Sequence, residues 1–409
     1  MISHYEFTPT MQGRLLVAVR DLDPPSGGAE KSLSTLLLGL EDKNKTRIDW
    51  NVKVYQSKDR GQTSNIFSNS SIDFEMSHIK IEDIYSSLAW KFRNKHTQRS
   101  SNFLRKVHLK KKNNLFSKWL NSQFILEKKL ASENEISLLG VTQLDWSAGA
   151  ASSFIQANIP YVTFVRDEVC FEHPELFRSC LENADSVIVA GKGLANQIEE
   201  KFSVKSISVV HLPINFEKIY PLENLEQKLK DAQTFRFENN LTNPRIGVVG
   251  MVPEKGFQFY NDQFIPKLKE MWPEATLHVY GGGIYAKKLA KHSNTFDEGF
   301  QNQENIFPYC DIHMFRLDRV GSWGRVINEA GYFYSPSISI DIGAQSEAVG
   351  KGGGVMPYDS SPEEWINKIK EIYKNSEKYG KWAYDHRLIV DYKNSINEFI
   401  TLIDGVLND

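Results

Sequence analysis

The sequence predicts an α/β protein made of two consecutive domains, each a mostly parallel, doubly wound sheet. Three observations carry this. Short apolar runs of buried-strand type alternate with helix-period segments. The series is interrupted once, by a polar stretch over residues 216–243, and then begins again. A length of 409 residues also exceeds one ordinary domain at about 150 residues each.

Taken in order, residues 14–20 (Arg-Leu-Leu-Val-Ala-Val-Arg) read as a strand, residues 21–28 as a Gly-rich loop and 29–40 as a helix. Residues 48–55 alternate like a second strand, and 138–144 and 161–165 are apolar enough for buried ones. The uncharged stretch 146–165 reaches membrane-spanning length, but Ser147, Ser152, Ser153, Gln156, Asn158 and Pro160 interrupt it. It reads as a helix, a turn at 158–160 and a strand. Strand 186–190, helix 194–202 and strand 206–212 complete the first series. The second comprises strand 245–250, helix 257–272, strand 276–280, strand 311–315, helix 326–334 and strand 337–340. The expected organisation is an N-terminal domain over 1–215, a linker region over 216–243, a C-terminal domain over 244–390, and a final helix in 391–409 returning to the first domain.

Composition bounds the function classes. Apolar residues make up 41% and charged residues 24%, which fits a folded globular chain rather than a disordered or fibrous one. Three cysteines without a C-x-x-C pair fit neither a disulfide framework nor a Cys-rich zinc site. The ten histidines are scattered without zinc spacing, so no metal is expected. The N-terminal Met-Ile-Ser-His-Tyr-Glu-Phe lacks the basic and then apolar pattern of a secretion signal, and a cytoplasmic location is expected.

In doubly wound sheets ligands bind beyond the carboxyl ends of the strands, so the loops there are where chemistry is expected. Gly27 and Gly28 stand where the first strand hands over to the first helix, and glycine lets a ligand approach backbone N–H groups at a helix start. The same arrangement recurs at Gly250–Gly256, where Lys255 either points a charge into the site or is a plain surface lysine. Gly281, Gly282 and Gly283, with Ala286, match a dinucleotide fingerprint. They follow the domain's second strand, and no acidic residue is expected at the end of a following strand about 20 residues on, so a tight turn beside a nucleotide is the better reading than an NAD site.

The most informative stretch is Gly321-Ser-Trp-Gly-Arg-Val-Ile-Asn-Glu-Ala330, then Asp341-Ile-Gly-Ala-Gln-Ser-Glu-Ala-Val349 and Gly352-Gly-Gly-Val355. It resembles retaining glycosyltransferases of family 4, which carry E-x-F-G-R-V-x-x-E-A, D-x-G-G-x-x-E and G-x-G in that order. The resemblance extends from the Gly27 loop to Gly354 and implies the GT-B fold, two Rossmann-like domains facing across a cleft, with the acceptor on the first and the nucleotide-sugar donor on the second. It implies that Glu329, expected in a helix's first turn, bonds the ribose hydroxyls; an ordinary helix-start glutamate is the alternative. Gly324, Arg325 and Val326 would meet the diphosphate, Lys255 would neutralise it as it leaves, and Gly28 would meet the donor phosphates. Arg166 and Asp167 follow a strand where many members place groups beside the sugar, so Asp167 is a candidate catalytic residue, with a loop salt bridge as the alternative.

Two departures stand out. The first glutamate of the family's E-x7-E pair is Gly321, and the arginine that commonly follows the C-domain glycine is Met251. Arg316, Arg319 and Arg325 are the nearby candidates to supply the missing charge. The resemblance implies transfer with retained configuration and no cofactor, in cell-surface polysaccharide or glycolipid synthesis. A catalytically degenerate nucleotide-sugar-binding protein or a nucleotide-sugar epimerase is the alternative. Asp21-Leu-Asp23 is the one D-x-D, away from the expected nucleotide side, and helix dipoles and basic side chains would replace a metal.

The formal charge of -2 hides segregation. Residues 84–126 contain no Asp or Glu and ten Lys or Arg, while the rest holds 39 basic and 51 acidic residues, a net of -12. Lys110, Lys111, Lys112 and Trp119 in this segment suggest contact with a lipid-linked acceptor or an anionic membrane surface, with a solvated helical face as the alternative. No recognised nucleic-acid module accompanies the charge, so no nucleic-acid partner is expected.

Overall fold

The computed structural model describes residues 11–23, 28–42, 46–57, 66–68, 70–79, 102–166, 169–239, 243–318 and 323–407. The chain divides into two compact units. The first comprises residues 1–190, 195–213 and 392–409, and the second 191–194 and 214–391.

The first unit holds seven strands: β1 (Met11–Ala18), β2 (Ile48–Ser57), β3 (Phe74–Ile79), β4 (Ser137–Gln143), β5 (Tyr161–Phe164), β6 (Ser186–Val189) and β7 (Ile207–Val209). They pair in parallel in the order β3-β2-β1-β4-β5-β6-β7. Leu15, Leu16, Val17 and Ala18 are all fully buried because both faces of a parallel sheet are covered. One face packs on Leu33, Leu36 and Leu37 of the helix Gly28–Leu38 and on Ile396, Phe399 and Ile403 of the final helix Tyr392–Val406. Asp404 fastens that final helix by accepting from the Arg47 backbone N–H at 2.8 Å and from Thr46 Oγ1 at 3.2 Å. The other face carries an aromatic layer in which Tyr55, Phe116, Phe124, Trp146, Phe154 and Tyr161 contact one another in sequence-distant pairs. Gly140 admits this layer, since a Cβ there would stand 2.6 Å from the Phe154 ring.

The stretch 146–165 is a helix (Ser147–Ala157), a left-handed turn at Asn158 (φ 51°) and β5, as its breaking residues predict. The 32-residue helix Asn102–Glu133 lies over the aromatic layer. Its buried Glu127 accepts from Arg14 Nη1 and Lys53 Nζ at 2.8 Å and from the Tyr55 hydroxyl at 3.0 Å.

The second unit holds β8 (Arg245–Val249), β9 (Thr276–Tyr280), β10 (Thr295–Gly299), β11 (Ile312–Phe315), β12 (Ser337–Ile340) and β13 (Gly353–Met356). They are parallel, in the order β10-β9-β8-β11-β12-β13. The polar stretch expected to be a linker belongs to this unit and contains the helix Leu222–Glu238, which Arg236 anchors to Asp311 with a paired contact at 3.0 Å. Only Leu225 and Ala232 of that helix are buried, which is why it reads as polar. The helix expected over 257–272 is a π-helical stretch (Phe259–Phe264) leading into Ile265–Met271. Pro266 has no N–H to donate, and its ring crowds the preceding turn.

Candidate functional site

In the second unit the loops after β8, β9 and β11 come together. Gly250 (φ 67°) donates its N–H to Tyr280 O at 2.7 Å, and a Cβ on Gly281 would lie 3.3 Å from Gly250 Cα. Gly281, Gly282 and Gly283 all have positive φ, which only glycine adopts at little cost. The loop that begins at Gly250 continues through Lys255 and the left-handed Gly256 (φ 78°). Lys255 Nζ donates to Val249 O at 3.1 Å and stands 5.9 Å from the centre of the Phe315 ring. Burial pulls the Lys255 ammonium below the ordinary lysine range. Gly324 packs on the same ring, where a Cβ would meet Phe315 at 2.7 Å.

Gly324 precedes the helix Arg325–Tyr332, so the N–H groups of Arg325 and Val326 open that helix toward this loop cluster. Glu329 sits in the helix's second turn, not the first, because the helix begins at Arg325. It is 7% exposed and accepts from Arg325 Nε at 3.4 Å. A buried carboxylate held by a half-buried guanidinium can accept from hydroxyl groups while its charge stays compensated.

Of the three arginines considered to replace the absent charge, Arg316 is enclosed. Its guanidinium lies 4.2 Å from the Phe259 ring centre, with Tyr358 and Trp365 at 5.6 and 5.8 Å, and Nε donates to Asp318. Its aliphatic stem fills the space beside Gly256, so it holds the Lys255 loop in place. Met251 is turned into the core. Arg319 and Gly321 lie outside the described residues, and Arg325 is left as the described arginine beside the helix start.

The carboxyl edge of the first sheet has a different chemistry. Arg20, just past β1, donates to Asp21 at 2.8 Å and has Asp145 at 3.5 Å and Glu30 at 3.7 Å. Gln56 at the end of β2 accepts from the Leu22 and Asp23 backbone N–H groups at 2.7 and 3.0 Å and donates to Asp23 O at 2.8 Å. Gln143, the last residue of β4, is 1% exposed, and neither end of its amide has a partner among the described residues. Arg166 is buried with its guanidinium 4.3 Å from the Phe164 ring centre. Gly28 is exposed at the first position of its helix, whereas Gly27 and Asp167 lie outside the described residues. Among the described residues no group of His, Cys, Asp or Glu is placed to hold a metal ion. The sequence reading missed Arg20, Gln56, Gln143 and Asp145; their position at or just past the carboxyl ends of strands was the available signal.

On the long basic helix, Lys110 and Lys111 are exposed, but Lys112 is 6% exposed and Trp119 packs edge-on against Tyr55 at 5.7 Å. The expectation that all four face an acceptor or membrane is therefore corrected for these two. Lys112 shares the inward stripe with Leu109, Phe116 and Leu120 by the 3.6-residue period. Lys91, Arg93, Lys95 and Arg99 of the basic segment lie outside the described residues. Among the described residues no helix is long and apolar enough to cross a membrane.

Residues 243–375 match the family model described as glycosyl transferases group 1. No curated protein sequence matches the chain. The whole chain is similar in structure to Anabaena HepE, solved in complex with UDP, at 16% identity and a TM-score of 0.63, covering 97% of this chain and 99% of that one. Sucrose-phosphate synthase from Thermosynechococcus elongatus aligns at 13% identity and TM-score 0.65, with 97% and 99% covered. A glycosyltransferase from Rickettsia africae aligns at 13% and 0.64 with the same coverage. The fold is that of the GT-B glycosyltransferases, and the stretch containing Gly321–Ala330 and Asp341–Val349 is the one the family model covers.

Proposed function

We propose that this protein is a retaining, metal-independent glycosyltransferase that uses a nucleoside-diphosphate sugar and transfers the sugar to a hydroxyl of a glycan, lipid-linked or small acceptor in cell-surface polysaccharide or glycolipid synthesis. The observation that carries it is the convergence of Gly250, Gly281, Lys255, Phe315 and Gly324 within the unit that matches the family model. The open backbone of the glycines gives a diphosphate room to approach. Lys255 would give up its bond to Val249 O for the departing diphosphate, whose charge would return its pKa toward the ordinary range. Arg325 would supply a second cation and release Glu329 to accept from the ribose hydroxyls. Neutralising the leaving group as its bond to the sugar breaks lets the acceptor oxygen bond to the anomeric carbon from the same face, and the acceptor's proton leaves with the diphosphate.

Asp167 beside buried Arg166 is proposed to orient the sugar or acceptor, Gly27 and Gly28 to meet the donor phosphates, and the exposed Lys110 and Lys111 to attract a lipid-linked acceptor or an anionic membrane surface on the cytoplasmic side. The test is a thermal-shift panel of nucleotide-sugars beginning with UDP-glucose, which is bound in another Anabaena HepE structure. A donor present at about 100 times its Kd should stabilise the protein by ~2.7 kcal/mol. The stabilising donor should then yield nucleoside diphosphate when an acceptor is supplied, and Glu329→Ala should raise KM. If no donor stabilises the protein and Glu329→Ala changes nothing, the reading fails.

The inward Met251 and the enclosed Arg316 favour a second reading, a member that binds the nucleotide-sugar without transferring it. Donor binding without turnover, with an acceptor proven on a related enzyme, would select it. Donor conversion with no acceptor would instead indicate an epimerase.

A further inference from the structure

The first unit contains a groove of about 680 Å³ that none of the chemistry above uses, lying between the helices Asn102–Glu133, Ser147–Ala157 and Pro174–Glu182. Its size is that of a small-molecule site, about 300 to 1,000 Å³. Ala148, Gly149 and Ser152 give it depth. The middle helix approaches its neighbour so closely that a Cβ on Gly149 would stand 2.4 Å from Asn113 O, and Gly149 N donates to Asn113 Oδ1 at 2.6 Å. Asn113 is thereby used up in holding the two helices together.

The walls are not used up. Asn114, Lys118 and Asn121 recur at helical spacing on one helix, and Ser152 and Gln156 face them from the next. None of these five side chains hydrogen-bonds another described residue, and Asn121 Oδ1 is withdrawn from solvent without a partner. Amides and a hydroxyl together offer both donors and acceptors, which matches sugar hydroxyls, since each of those also does both. Lys118 is the one charged residue in the lining and no carboxylate is present, so a polyanion would find a single cation there. The groove lies along the helices that cover the sheet, not on the loops after β1, β4 and β5.

We propose that this groove binds the neutral glycan chain of the acceptor, away from the reacting hydroxyl, so that a growing chain is held on the first unit. This rests on the glycosyltransferase reading.

The experiment titrates the full-length protein with maltohexaose, cellohexaose and chitohexaose by calorimetry, alongside Ser152→Trp, which fills the groove, and the double variant Asn121→Ala, Gln156→Ala, which removes amides without adding bulk. At least one glycan is expected to bind, at least tenfold more weakly to Ser152→Trp and at least fivefold more weakly to the double variant, with thermal stability and nucleotide-sugar binding unchanged in the latter. No glycan binding, or equal binding by wild type and the double variant, overturns the proposal. Tighter binding of inositol hexakisphosphate than of any neutral glycan, lost in Lys118→Ala, overturns it in favour of an anion site. Nucleotide-sugar turnover measured on the same preparations separates the two readings: turnover without groove binding fails only the groove, and absence of both fails the glycosyltransferase reading as well.

Discussion

The carboxyl edges of the two sheets are built from the same kind of loop yet hold opposite chemistry. After β8, β9 and β11 the loops are glycine-rich, with positive φ at Gly250, Gly256, Gly281, Gly282 and Gly283, and the charged group at their centre is Lys255. At the ends of β1, β2 and β4 stand Asp21, Gln56, Gln143 and Asp145, and Arg20 is surrounded by three carboxylates. Under the proposed function, one edge would take an anion close to the backbone. The other holds its cation already neutralised and offers amides and carboxylates, groups that orient hydroxyls. A shared strand order does not carry function; the residues placed on the strand ends do.

Removing Lys255 is the sharpest way to break that contrast. Lys255→Ala should lower kcat by about 10² to 10³-fold, the loss that follows from deleting one group that stabilises developing negative charge, with the melting temperature retained. An unchanged kcat would mean that the second edge is not the diphosphate site.

A second large effect is expected in the first unit's interior. Glu127→Ala leaves Arg14, Lys53 and the Tyr55 hydroxyl without their shared carboxylate and should destabilise the protein by about 3 kcal/mol in denaturant titration. Burial opposes the Glu127 charge, but the hydrogen bonds from Lys53 and Arg14 prevail and lower its pKa. Its stabilisation is thus present above the ordinary carboxylate pKa and lost as pH falls below it.

Acid should separate the units further. His313 is buried against the Phe307 ring, and burial holds its pKa down at about 3. The unfolded chain binds a proton there near pH 6.5 that the folded unit refuses, so the second unit should lose up to ~1.4 kcal/mol per pH unit as pH falls from about 6.5 toward 3. Tryptophan fluorescence during acid titration should report this unit weakening before the Glu127 cluster is protonated, and His313→Asn should shrink the early phase, leaving the part due to His278, whose pKa burial also lowers. The smallest effect concerns the outer helix: Lys110→Ala should weaken binding to vesicles containing phosphatidylserine by about fivefold, and Lys111→Ala likewise. Flotation assays showing no dependence on either lysine would reduce this face to a solvated one.

Much of the fold is legible in the sequence because buried parallel strands are continuous apolar runs: β9 and β12 fall at 276–280 and 337–340, as their composition predicts. Strands β3 and β10 were not legible. Phe74–Ile79 is only half-buried throughout, and Thr295–Gly299 carries Asp297 and Glu298, so neither shows the apolar signature. The candidate site was legible at its glycines, which positive φ requires at Gly250 and Gly281 and close packing on Phe315 requires at Gly324. It was not legible where a side chain's direction decides the outcome. Arg316 and Arg325 are equally good cations in a sequence, but one is enclosed by Phe259, Tyr358 and Trp365 and the other lies at a helix start.

The sequence by itself determined that there are two doubly wound domains, that glycine loops follow the strands, and that the basic charge is gathered in one segment. These are properties of neighbouring residues and short periods. Only the tertiary structure decided that Lys112 and Trp119 face inward, that Met251 joins the core, and that the polar stretch 216–243 holds a helix belonging to the second unit. Direction and partnership depend on what lies across the fold. Asp311 meets Arg236 from 75 residues away, and Glu127 meets Arg14 from 113 residues away. No local pattern encodes contacts at that separation.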